Sequence, residues 1–126
     1  MTRTVRPTEL ADYDPESFVA VGVATGEHSN VRMIRLGPGT ALPPHTHGAS
    51  DLFLYVVEGT GELDTPDGPV PLSAGDLAQY RGDEELRVAN NSTGGLTLLA
   101  FLAPVFPPVT TTDTPRPSAA TPSRPR

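Results

Sequence analysis

The 126-residue sequence predicts an all-β protein, a small sandwich or barrel, on three observations. Short apolar runs of strand length recur between residues 17 and 103. Gly, Pro, Asp and Asn break the chain between those runs, as turn residues do. No stretch sustains the apolar period of a helix.

The strands follow in order. FVAVGVA (18–24) is ended by Gly26, and VRMIRL (31–36) by Gly37-Pro38-Gly39. LFLYVV (52–57) leads into Gly59 and Gly61. GEL (61–63) and PVPL (69–72) flank Pro66-Asp67-Gly68, whose Asp-Gly pair is the strongest hairpin signal in the chain. DLAQY (76–80) precedes Arg81-Gly82-Asp83, and LRVAN (86–90) precedes the turn from Asn91 to Gly95. LTLLAFLA (96–103) closes the body. It is apolar on both strand faces, which suits a buried strand or one covered in a homodimer. PTELAD (7–12) has room for one helical turn, with Thr8 as its cap.

These signals divide the chain into an N-terminal arm (1–16), a barrel (17–106) and a tail (107–126). From Pro104 onward lie seven of the 15 prolines, with almost no large apolar residues after Val109. Such a segment buries too little to offset its ordering entropy, so the tail is expected to be disordered and partly polyproline II.

Composition excludes several functions. Cysteine is absent, which removes disulfides, thiolate zinc sites and Cys nucleophiles. Residues 9–103 carry 14 acids against four arginines (32, 35, 81 and 87), a balance of −10. A body of that charge repels a phosphate backbone, so no nucleic-acid partner is expected. No apolar run is long enough to span a membrane. The first 20 residues hold Glu9, Asp12, Asp14 and Glu16 and no secretory apolar stretch, so a cytoplasmic protein is expected.

The chemistry-bearing feature is His45-Thr46-His47. Residues two apart on a strand share a face, so both imidazoles can address one point, as metal ligation requires. Alone, a His-x-His pair in a Pro-rich turn is a weak signal, because histidine often serves as an ordinary polar residue.

In context, the sequence resembles the cupin superfamily over roughly residues 30–103. The first cupin motif runs Gly, five residues, His-x-His, then a Glu, then a closing Gly; Gly39, His45, His47 and Gly59 match it. YVVEGTGEL matches the strand and turn that follow, and Gly75-Asp76 in SAGDLAQY matches the start of the second motif. The resemblance implies a small antiparallel double-stranded β-helix, a jelly-roll barrel of six to eight strands. It also implies a divalent metal (Fe, Mn, Ni or Zn, not distinguished) held by two histidines, the motif's Glu and a third histidine.

This sequence departs from that ligand set. Counting back from Gly59 puts the acidic position at Leu52, whereas counting forward from His47 puts it at Asp51. One residue flips a side chain across a strand, and register favours Leu52; a bulge at Gly48-Ala49 turns Asp51 inward instead. Aligning Gly75-Asp76 and Asn90 with the second motif puts Leu86 where the third histidine belongs. His28 lies in a turn and reads as solvent-exposed. Either Gln79 or Tyr80 must face inward.

The resulting expectation is an enzyme acting on a small organic molecule in the barrel. His45, His47 and Asp51 form a partial metal site, or His45 and His47 act as base, with Tyr80 assisting. Leu52, Leu54, Val56, Gln79 and Leu86 line the pocket. The alternative is a non-catalytic small-molecule-binding or accessory barrel without metal, to which Leu52 and Leu86 point. A homodimer is expected in either case.

Overall fold

The computed structural model describes residues 2–107, and all but one short turn of its regular structure is β. Eight strands follow the predicted order: β1 Phe18–Thr25, β2 Asn30–Leu36, β3 Asp51–Glu58, β4 Thr60–Thr65, β5 Gly68–Ser73, β6 Leu77–Tyr80, β7 Val88–Ala89 and β8 Leu96–Ala103. All pairings are antiparallel. A five-stranded sheet runs β1-β2-β8-β3-β6 and faces a three-stranded sheet β5-β4-β7. Isolated bridges from Ala41 to Ala89 and from His45 to Leu86 lay residues 41–45 along the outer edge of β7. Pro43 and Pro44 interrupt the ladder there, since proline has no N–H to donate.

The core lies between the sheets, and strand register sorts it into rows. Phe18, Leu36 and Leu96 form one, and Ala20, Ile34, Leu98 and Val56 the next. Gly22, Arg32, Ala100, Leu54 and Ala78 follow, then Asn30, Leu102, Leu52 and Tyr80. Apolar members of these rows at the sheet centre, among them Leu52, Leu98 and Val56, are wholly buried.

The N-terminal arm packs on the outer face of the large sheet. Tyr13 Oη lies 2.7 Å from Thr97 Oγ1 and donates to Glu58 at 3.0 Å, and the Arg35 guanidinium sits over its ring. The predicted turn near residue 7 is a 3₁₀ turn, Pro7–Glu9; its cap position is Arg6 and Thr8 does not cap it. The β4–β5 hairpin turns through Pro66-Asp67, and Gly68 opens β5 with φ +109°. The β7 strand is shorter than LRVAN because its ladder continues onto the broken 41–45 segment. No helix among the described residues is long and apolar enough to cross a membrane. The expected disordered tail lies, from residue 108, outside the described residues.

Candidate functional site

The site residues come from three places: the 41–47 segment, the inward face of β2, and the chain just after β8. His45 pairs with Leu86 through Leu86 N–H donating to the His45 carbonyl at 2.9 Å. His47 is anchored by its own N–H, which donates to the Gly82 carbonyl at 2.8 Å. Gly82 is required by this contact, because a Cβ there would run into the Gly48 carbonyl.

The two imidazoles do share a face, with ring centroids 4.6 Å apart at 58°. His45 Nδ1 lies 2.8 Å from the Pro43 carbonyl, which only accepts, so Nδ1 carries the proton and Nε2 keeps the lone pair. His47 is buried and its Nδ1 has no hydrogen-bond partner. Burial pushes the His47 pKa down to about 3, and neighbouring His45 and the Arg32 charge add to this. His45 is also lowered, by burial first and by Arg32, while the Pro43 carbonyl and Glu85 oppose the shift. Both imidazoles are therefore neutral at neutral pH.

Three residues that sequence reasoning missed complete the cluster. Phe106 stacks on His47 with ring centroids 5.0 Å apart, and the Arg32 guanidinium lies 5.6 Å from the Phe106 ring centre. Asn30 fixes Phe106 by its backbone: the Asn30 side-chain amide donates to the Phe106 carbonyl at 3.1 Å, and the Phe106 N–H donates back at 2.9 Å. Ser50 helps by donating to the Pro104 carbonyl at 2.7 Å. A signal for Arg32 existed in VRMIRL, whose arginines three apart must lie on opposite faces of a strand. Phe106 left none, because its position follows from the return of the chain after β8.

The implied metal does not fit this donor set. Leu52 occupies the inward position on β3 and is wholly buried, while Asp51 is exposed on the opposite face, in register with Ala103. Gly48 does adopt φ +62°, but the register from Asp51 to Val56 is unbroken and shifts only between Val56 and Glu58, so no bulge brings Asp51 in. Leu86 lies directly across from His45 and is 1% exposed. Among the described residues no three His, Cys, Asp or Glu side chains gather as a metal shell needs. The Arg32 cation acts on both imidazoles and disfavours a second cation beside them.

The other named residues separate by parity. Leu54 and Val56 face the interior as expected. Tyr80 faces inward with its hydroxyl buried and unpartnered, and burial raises its pKa. Gln79 is exposed, as strand alternation with the buried Tyr80 requires. With Leu63, Ala78 and Tyr80 it lines a cleft of about 600 Å³ between β6 and the β4–β5 hairpin. Asp64, Asp83, Glu84 and Glu85 make that cleft acidic. His28 is exposed and lies 2.9 Å from Glu27, apart from the site.

Comparison with known proteins agrees with this architecture. A family model described as "Cupin domain" matches residues 32–102. A protein of Thermus thermophilus superposes with TM-score 0.75 at 27% identity, covering 82% of this chain and 99% of its own. An RmlC-like cupin protein of Desulfovibrio desulfuricans gives TM-score 0.74 at 22% identity, covering 84% and 100%. A protein of Thermotoga maritima described as a predicted oxalate decarboxylase gives 0.62 at 20%, covering 68% and 79%. No curated protein matches the chain. The eight antiparallel strands, the paired histidines of the first motif and a family match over more than half of the chain converge: the chain belongs to the cupin family.

Proposed function

We propose that this protein binds a small organic molecule inside its barrel without a metal, using the neutral imidazoles of His45 and His47 as hydrogen-bonding groups. The observation that carries this reading is His47 Nδ1, a ring nitrogen sealed from water and left without a partner. A buried unsatisfied polar atom costs about 1–3 kcal/mol, and a complementary hydrogen-bonding group on a bound molecule removes that penalty. Leucines at the two remaining ligand positions make the surroundings apolar, as small-molecule sites are.

A catalytic role is the second reading, in which His47 takes a proton from the bound molecule. Its free ring nitrogen favours this, and its depressed pKa opposes it, since a base works best when its pKa is near the working pH. Recognition is accordingly the primary role. Two copies of the chain are proposed to pair through the outer face of the five-stranded sheet.

The test is a small-fragment screen against the full chain, followed by NMR of the histidine ring nitrogens. Hits are expected to shift the His47 resonances, to bind equally after EDTA treatment, and to weaken at least tenfold in His47→Phe. Hits that need added metal would replace this reading with the metal-dependent one. Hits indifferent to His47→Phe would place the site elsewhere.

A further inference from the structure

The two buried arginines of β2 differ in one respect. Arg35, on the outer face, is held by Glu58, with Nη2 to Oε2 at 3.6 Å, and by the Tyr13 ring. Arg32 points into the barrel, is 8% exposed, and has no carboxylate or hydrogen-bond partner among the described residues. Its charge is felt by the rings of His45 and His47, and Asn30, on the same face of β2, is engaged by Phe106. The carboxylate nearest His45, Glu85, is engaged by Arg87 at 2.7 Å. A buried cation is ordinarily paired, because desolvation otherwise disfavours it, and burial does lower the pKa of Arg32.

The surroundings leave room for a partner. Across the strands from Arg32 stand Gly22 and Ala100, the smallest residues of that interior row apart from Ala78. Gly22 is exposed, and a side chain there would touch nothing, so the row opens to solvent at the β1 edge. This opening is on the far side of the large sheet from β6, which borders the acidic cleft. The Phe106 ring covers Arg32 from one side and is itself fixed by Asn30.

We propose that Arg32 anchors a carboxylate group on the molecule this barrel binds, a step that rests on the binding reading above. A guanidinium presents a planar donor fork that matches a carboxylate in two parallel hydrogen bonds. The charge count selects a monoanion. The other described arginines are exposed or, for Arg35, on the outer face, so one positive charge faces the interior and a phosphate dianion would remain half neutralised. Neutral His47 and the apolar wall of Leu52 and Leu54 suit the uncharged remainder of a small organic acid.

The test measures thermal unfolding of the full chain with sodium acetate, propionate and benzoate, with the three matching amides, and with chloride and phosphate at equal ionic strength. The carboxylates are expected to raise Tm in a saturable way and the amides and inorganic anions not to. Arg32→Met is expected to weaken carboxylate binding at least tenfold and, without ligand, to raise Tm, because it removes an unpaired buried cation. Arg32→Lys, which keeps the charge and loses the fork, is expected to give an intermediate affinity and serves if Arg32→Met does not fold. Equal responses to acids and amides that disappear in His47→Phe would overturn the role of Arg32 and leave the binding reading intact. A carboxylate response that survives Arg32→Met, or none at all with Tm of Arg32→Met at or below wild type, would also overturn it.

Discussion

His47 gives the chain a defined response to acid. In the unfolded chain its imidazole titrates near 6.5, whereas in the folded protein burial holds it at about 3. Between those values the unfolded state binds a proton that the folded state refuses, so stability falls as pH drops from about 6.5 toward 3. Above 6.5 both states are neutral and this contribution is fully present. His45 is shifted in the same direction and widens the effect. His47→Phe is expected to flatten the stability–pH profile over that window, measured by urea unfolding across the acid range up to neutrality. A variant profile parallel to wild type would mean that His47 is not held neutral. The pairing of the two histidines was legible from spacing, whereas for the acidic position spacing gave both Asp51 and Leu52, and only strand parity favoured Leu52. The depressed pKa was not legible, because it arises first from burial and, beyond His45, from Arg32, and both depend on residues distant in sequence.

Strand order and nearly every boundary were readable from turn residues, because Gly, Pro and Asp impose backbone geometry locally. What escaped was contact between distant elements: Tyr13 clamped on β8, and Phe106 brought back over β2. The Arg81-Gly82-Asp83 turn belongs to this class. It reads as a solvated turn, yet its glycine packs against the loop that follows His47. Gly82→Ala places a methyl group against the Gly48 and Ser50 carbonyls, and backbone cannot yield as a flexible side chain does. Such overpacking costs about 1–3 kcal/mol. The expected outcome is a destabilisation of that order with the His47 NMR signals displaced, the hydrogen bond from His47 N–H to the Gly82 carbonyl being lost or lengthened. A fully wild-type Tm with unmoved His47 signals would mean that the loop has room to relax.

At the scale of the whole molecule, the two faces of the large sheet bury unequal amounts. Inward residues of β3 and β8 are sealed, while on the outer face Phe53, Tyr55, Phe101 and Leu77 remain 38%, 39%, 39% and 61% exposed. Register makes them one patch: Phe53 lies beside Phe101, and Tyr55 lies between Leu99 and Leu77. These residues sit on β3 and β8, two of the three interior strands of the sheet, and on the adjoining edge strand β6. A contiguous apolar patch of this kind marks a contact surface more often than a solvated face. Because none of these four residues is charged, a second copy related by two-fold symmetry can cover the patch with the same residues. Sequence reasoning anticipated pairing from the two-sided apolar pattern of LTLLAFLA, and the structure identifies Leu99 and Phe101 as its large outward members. Sedimentation at micromolar concentration is expected to give a homodimer. Phe53→Glu combined with Phe101→Glu is expected to give a folded monomer, since both side chains already face outward and their replacement leaves the interior rows intact. A wild-type monomer, or a double variant that still dimerises, would remove this face as the contact between copies.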